Sequence, residues 1–202
     1  VTPVWGWVSI VIGYLLGSIS FSFLAGKWLK GIDIRQHGSG NAGATNTLRV
    51  LGKGPGIAVL LLDMLKGIAA VWIGYALGGG DPLVQVLAGM SVIVGHNWPV
   101  FFGFRGGKGI ATTIGVMATL AFLPSLYAGI AAIAAIAITR YVSLGSLLFT
   151  ALLPILLAVM GKPVEILALS LLLFAFAWFR HRSNIVKLLK GQENKLGGRR
   201  QL

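Results

Sequence analysis

The run IATTIGVMATLAFLPSLYAGIAAIAAIAIT, Ile110 to Thr139, decides the fold of this chain. As one helix its thirty residues would be about 45 Å long, against a bilayer hydrocarbon core of about 30 Å. Pro124-Ser125 lies near its middle and reads as a turn. Whether the run is one helix or two sets the parity of the membrane spans, and with it the side on which the chain ends.

That the run belongs in a membrane follows from composition. The chain has 202 residues, 56% hydrophobic and 11% charged, with no cysteine and a mean hydropathy of +0.85. A soluble domain carries about 25% charged residues. Further apolar runs of spanning length cover Val4–Ala25, Gly56–Leu77, Leu83–Phe102, Ser143–Met160 and Val164–Phe179. The first has no basic residue before it and is too long for a signal-peptide core, so it reads as a retained span. These features describe an all-α integral membrane protein.

Charge decides between the two readings of Ile110–Thr139. With one helix there, six spans divide the basic residues evenly between the two faces. With two helices, seven spans gather Lys27, Lys30, Arg35, Arg49, Lys53, Arg105, Lys108, Arg140 and the basic tail on one face, leaving only Lys162 opposite. Positive charge accumulates on the cytoplasmic side. The expected architecture is therefore one polytopic domain over 1–202, with seven transmembrane helices, an outside N-terminus and a cytoplasmic C-terminus. A basic cytoplasmic tail covers 180–202. The formal charge of +12 needs no nucleic acid; anionic lipid headgroups satisfy it. The pairs Gly13/Gly17 and Gly74/Gly78 have the spacing of close helix packing. Asp63 and Lys66, i,i+3 within the second span, can share a helix face and neutralise each other.

Seven spans put three polar segments on the cytoplasmic face. The first is Gly38-Ser39-Gly40-Asn41-Ala42-Gly43-Ala44-Thr45-Asn46, flanked by Lys27, Lys30, Arg35, Arg49 and Lys53. Glycines let backbone N–H groups turn towards a ligand, and nearby cations supply countercharge for a phosphate. The second holds Gly95-His96-Asn97-Trp98-Pro99 and Arg105-Gly106-Gly107-Lys108-Gly109, the latter opening a helix, where free N–H groups bind anions. The third is Arg180-His181-Arg182-Ser183-Asn184, leading to Glu193. The substrate is accordingly phosphorylated, with Gly38, Gly40, Asn41, Thr45, Asn46, His96, Arg105, Gly106 and Gly107 as candidate binding residues.

Several chemistries are disfavoured. Gly38-x-Gly40-x-x-Gly43 lacks the βαβ context of a dinucleotide site, and Phe102 stands at the first glycine position of a Walker A loop ending at Lys108. Five carboxylates spread along the chain do not readily make an aspartate-rich magnesium site. No histidine precedes an aspartate by four residues, and no Ser-His-Asp triad is evident. No metal or other cofactor is expected.

These motifs, with Gly17-Ser18-Ile19-Ser20-Phe21 and Arg180-His181-Arg182-Ser183-Asn184-Ile185, resemble the bacterial acyl-phosphate:glycerol-3-phosphate acyltransferases of the PlsY type from about residue 10 to about 195. One departure is Ser20, where the family commonly has proline. The resemblance implies transfer of a fatty acyl group from acyl phosphate to the 1-hydroxyl of glycerol 3-phosphate, giving lysophosphatidic acid and phosphate at the inner face of a bacterial plasma membrane. It further implies Ser39, Arg49, Lys108, His181 and Asn184 as the catalytic and substrate group, with Thr45, Asn46 and Gly107 cradling the donor phosphate. The hydroxyl proton goes either to His181 or to a substrate phosphate with a second pKa of about 6; the resemblance implies the latter. Ser39 is disfavoured as a covalent nucleophile, since no base is identifiable beside it. The alternative from another class is a transporter of a phosphorylated solute or lipid.

Overall fold

The computed structural model describes residues 4–197, and these are helical with no strand among them. Residues 198–202 of the expected basic tail lie outside the described residues. The chain divides into two compact units, Val1–Leu120 and Ala121–Leu202.

The first unit contains α1 (Val4–Gly17), α2 (Phe21–Lys30), α3 (Ala44–Leu51), α4 (Lys53–Leu77), α5 (Pro82–Asn97) and α6 (Ile110–Leu120). Short 3-10 turns at Ile34–Gln36 and Val100–Phe102 lie in the two long connections. The expected first span is interrupted: α1 ends at Gly17, and Ser20 N-caps α2 by accepting the Phe23 N–H at 3.4 Å. A proline at position 20 has no side-chain oxygen with which to do this. Asp81 caps α5 in the same way, accepting the Leu83 N–H at 2.8 Å, with Pro82 at the first helical position.

The second unit contains α7 (Phe122–Thr139), α8 (Val142–Val159), α9 (Val164–Arg180) and α10 (Arg182–Leu189). The deciding run is indeed two helices, but the break falls at Ala121 (φ −151°, ψ 78°), not at Pro124. A proline in the first helical turn leaves no N–H unsatisfied, so Pro124 starts α7 instead of ending α6. The Ala121 carbonyl accepts from both the N–H (3.2 Å) and the hydroxyl (2.8 Å) of Ser125.

Five segments are long and apolar enough to cross a membrane: Val4–Lys30, Lys53–Leu77, Pro82–Phe102, Phe122–Thr139 and Val142–Val159. Val164–Arg180 and Arg182–Leu189, bent by 63° at their junction, add a sixth only when taken together as one span, and Ile110–Leu120 is a shorter apolar helix. Large apolar side chains such as Trp7, Leu61, Ile133, Ile138 and Leu171 face outward, whereas small residues face neighbouring helices. Between lipid-solvated helices apolar burial supplies little driving force, and close backbone packing replaces it. Both expected glycine pairs serve this purpose. A Cβ at Gly13 would lie 2.9 Å from the Ala88 carbonyl oxygen, and one at Gly17 would collide with that of Val92, so α1 lies against α5. A Cβ at Gly74 would be 2.9 Å from that of Ala88, and one at Gly78 2.7 Å from that of Val84.

Gly17→Ala is therefore expected to destabilise the protein by about 1–3 kcal/mol. Gly129→Ala, on α7 with nothing within 4 Å of the added methyl, should be neutral or slightly stabilising. Thermal unfolding in detergent checks the pair of variants.

Candidate functional site

In the first unit two polar loops are built against each other. The loop before α3 turns through Gly38 (φ +62°) and Gly40 (φ +72°), left-handed conformations that glycine adopts without strain. Asn46, in the first turn of α3 and 1% exposed, holds it. Its amide donates to the carbonyls of Ile34 (3.1 Å) and His37 (3.0 Å), and its Oδ1 accepts the Ser39 N–H at 2.8 Å. Both donors of Asn46 are thus committed to loop backbone, which sets the curvature of the loop. Thr47 ties α3 to α2 through a 2.8 Å hydrogen bond between its hydroxyl and that of Ser22.

Gly38, Ser39 and Gly40 are exposed at the loop surface, and Asn41 is half-buried. Thr45 occupies the first turn of α3 and Arg49 its last, both half-buried. The Gly43 carbonyl accepts the N–H groups of Asn46 and Thr47, both at 3.0 Å, in the first turn of α3.

The second loop leaves the end of α5. His96 and Asn97 are buried, at 7% and 1% exposure. Their carbonyls accept the N–H groups of Gly107 (3.1 Å) and Gly106 (3.3 Å), folding the glycine pair back under α5. Gly107 admits no side chain: a Cβ there would collide with the His96 ring at Nε2 and lie 2.6 Å from the Ala42 carbonyl oxygen. The two loops therefore meet at Gly107. Lys108, half-buried, follows at once, two residues before α6, and Arg105 is exposed.

Arg35 fastens the loops a second time. Its guanidinium forks onto Asp33, with Nε 3.0 Å from Oδ1 and Nη2 2.8 Å from Oδ2, while Nη1 donates to the Phe102 carbonyl at 2.8 Å. It also lies 4.8 Å over the Phe23 ring. Hydrogen bonds from Arg35 hold the Asp33 carboxyl below its ordinary value, and the same bonds raise Arg35. Asp33, Arg35, Gln36, Gly40, Arg105 and Gly106 line a recess of ≈ 250 Å³.

In the second unit the 63° bend between α9 and α10 falls at His181, which is 3% exposed. Its Nδ1 lies 2.8 Å from the Ala177 carbonyl. That oxygen can only accept, which puts a proton on Nδ1. Asn184, on α10, donates to Glu193 Oε1 at 2.8 Å; Glu193 itself is 8% exposed.

Of the fourteen residues expected from sequence, the first unit holds the Gly38–Asn46 group, Arg49, His96, Arg105, Gly106, Gly107 and Lys108, while His181 and Asn184 stand one helical turn apart in the second. Sequence reasoning took Arg35 as flanking countercharge, named Glu193 only as following the third polar segment, and gave Asp33 no role in the loops. Asp33-x-Arg35 carried a weak local signal; Glu193, nine residues from its partner, carried none.

The chain matches the family model described as Glycerol-3-phosphate acyltransferase over residues 7–191. A glycerol-3-phosphate acyltransferase of Shouchella clausii is 58% identical over 194 residues, covering 94% of this chain and 95% of the relative. One of Halalkalibacterium halodurans is 54% identical over 201 residues, covering 97% and 98%. Among solved structures, PlsY, an integral membrane glycerol 3-phosphate acyltransferase, in its glycerol 3-phosphate form is similar with a TM-score of 0.90 and 41% identity, covering 95% of this chain and 96% of that one. Its lysophosphatidic acid form gives 0.87 and 40%, covering 95% of each.

The Asp33–Arg35 fork yields a pH prediction. A carboxyl with a lowered folded-state pKa contributes fully above its unfolded value, about 3.9, and loses that contribution as pH falls through the folded value. The fork is partly exposed, so its worth is about 0.5–1 kcal/mol. Asp33→Asn should lower the thermal midpoint at pH 7, and the difference from wild type should shrink progressively as pH falls below about 3.9; a pH series of melting curves on both proteins checks this.

Proposed function

The chain belongs to the glycerol-3-phosphate acyltransferase family, and we propose that it draws the acyl group from a fatty acyl phosphate. It is a multi-pass membrane enzyme that acylates glycerol 3-phosphate to lysophosphatidic acid. The family match runs through both units, which supports reading the whole chain as one acyltransferase domain.

The observation that carries the donor assignment is the junction of two glycine-rich loops at Gly107, with Lys108 beside it and Arg35 and Arg105 lining the adjoining recess. Such a site stabilises a phosphate as it departs. The 1-hydroxyl oxygen of glycerol 3-phosphate attacks the acyl carbonyl carbon, an ester C–O bond forms, and the C–O bond to phosphate breaks. The hydroxyl proton passes to a phosphate oxygen, and inorganic phosphate leaves. An acyl phosphate needs little leaving-group protonation, so donors aimed at the developing negative charge matter more than a general acid. In this reading Ser39, Arg49, Lys108, His181 and Asn184 are the catalytic and binding residues. Gly38, Gly40, Asn41, Thr45, Arg105, Gly106 and Gly107 shape the phosphate sites, and Asn46 acts by holding the loop. His181, with Nδ1 committed to Ala177, is a binding group, and a substrate phosphate takes the proton.

Seven spans place the N-terminus outside and the polar loops at the cytoplasmic face of a bacterial plasma membrane, bathed in membrane lipid. The break at Ala121, which divides Ile110–Thr139 into two helices, supports this count, and the positive-inside distribution supports the orientation.

Purified protein is expected to make lysophosphatidic acid from glycerol 3-phosphate and acyl phosphate, and not from acyl-CoA or acyl carrier protein. Turnover with acyl-CoA and none with acyl phosphate would sink the donor assignment. Counterflow of glycerol 3-phosphate in proteoliposomes without product would favour a transporter. Because the chain has no cysteine, single cysteines test the topology: Lys162→Cys should react with a membrane-impermeant maleimide on intact cells, and Arg140→Cys only after permeabilisation.

A further inference from the structure

The first unit buries a charge cluster that no catalytic role above uses. Asp63 and Lys66, on α4, are 1% and 3% exposed, and their charged atoms are 2.8 Å apart. His96, from α5, brings Nδ1 to 3.4 Å from the same Asp63 oxygen. Burying an ion pair costs more than burying apolar side chains of equal volume, so the pair adds little to stability by itself. Ionisable groups within membrane segments are by default functional.

Both ends of the cluster lead to the 96–109 loop. Lys66 Nζ donates to the carbonyls of Gly17 (3.0 Å) and Ile19 (2.9 Å), which flank Ser18 in the break between α1 and α2. Ser18 in turn accepts the Val100 N–H on its hydroxyl at 3.3 Å, and Tyr14 donates to the Trp98 carbonyl at 2.9 Å. At the other end, the Asp63 carboxylate lies 3.4 Å from His96 Nδ1, and the same ring turns its Nε2 towards Gly107. Gly107 is the residue at which the two polar loops touch.

We infer that Asp63 and Lys66 are positioning residues for acyl transfer, holding the α1–α2 break and the His96 ring so that Gly107 seats against the Gly38–Asn46 loop. The inference rests on the donor-phosphate role proposed for Gly107. It assigns the pair an effect on donor binding separate from any effect on folding.

The test is the neutral pair Asp63→Asn/Lys66→Met. Removing both charges leaves no uncompensated ion in the core. The variant should still fold, with a lowered melting temperature in detergent, because the Gly17 and Ile19 carbonyls lose the Lys66 donor. Misplacement of a cradle by about 1 Å costs up to about a hundredfold, so the KM for acyl phosphate should rise about tenfold or more. The KM for glycerol 3-phosphate should stay within about twofold of wild type, and His96→Gln should show the same split. An unchanged acyl-phosphate KM in either variant overturns the inference, as does a parallel rise in both KM values. Failure of the neutral pair to yield folded protein also overturns it, because the charges would then serve folding. Absence of wild-type turnover with acyl phosphate would instead remove the donor assignment, and it registers before any variant is made.

Discussion

A carbonyl that loses its helical partner in apolar surroundings costs several kcal/mol, so a chain in a membrane can leave helical geometry only where another donor is waiting. The first unit meets this constraint with side chains drawn from distant positions. Lys66 serves Gly17 and Ile19, Tyr14 serves Trp98, Arg35 serves Phe102, and Asn46 serves Ile34 and His37. Each break or loop that shapes the polar face has its own donor. These same bonds fix the course of the two polar loops.

Close helix packing makes the long reach possible. Because glycines let α1 lie on α5 and α4 on α6, polar side chains on one helix come within hydrogen-bond distance of backbone on the next. Gly67 and Gly115 act in this way: a Cβ at Gly67 would lie 3.1 Å from the Val116 nitrogen, and one at Gly115 would collide with the Met64 carbonyl oxygen. Packing and polar satisfaction are thus one arrangement. A bulky residue in these seams would separate helices and strand the carbonyls together.

The helices were legible because hydropathy over some twenty residues is a strong local signal, and the division of Ile110–Thr139 was legible from charge. The location of the break was less so. Pro124 advertised a turn, but a proline in a first helical turn is compatible with the helix it begins, and the chain breaks at Ala121. The break at Ser18–Ile19 carried no proline at all. Its stabilising donor lies at Lys66, beyond the reach of any local pattern. Residue type also left Asn46 and His96 ambiguous, since an amide or an imidazole in a glycine-rich segment serves a ligand or a backbone equally well. The structure turns both inward.

The sequence alone determined the medium, the helical class, the chemistry of the polar loops and the family they resemble, because each is written in composition or in contiguous motifs. Only the tertiary structure decided what these residues reach: Arg35 the Phe102 carbonyl, Lys66 the carbonyls of Gly17 and Ile19, Asp63 the His96 ring and, in the second unit, Asn184 the Glu193 carboxylate. Their partners lie on other helices or far along the chain, or meet through backbone carbonyls that no side-chain pattern encodes. The physical reason is that hydrogen-bond satisfaction within a helical bundle is settled across helices, and it exists only once the helices have packed.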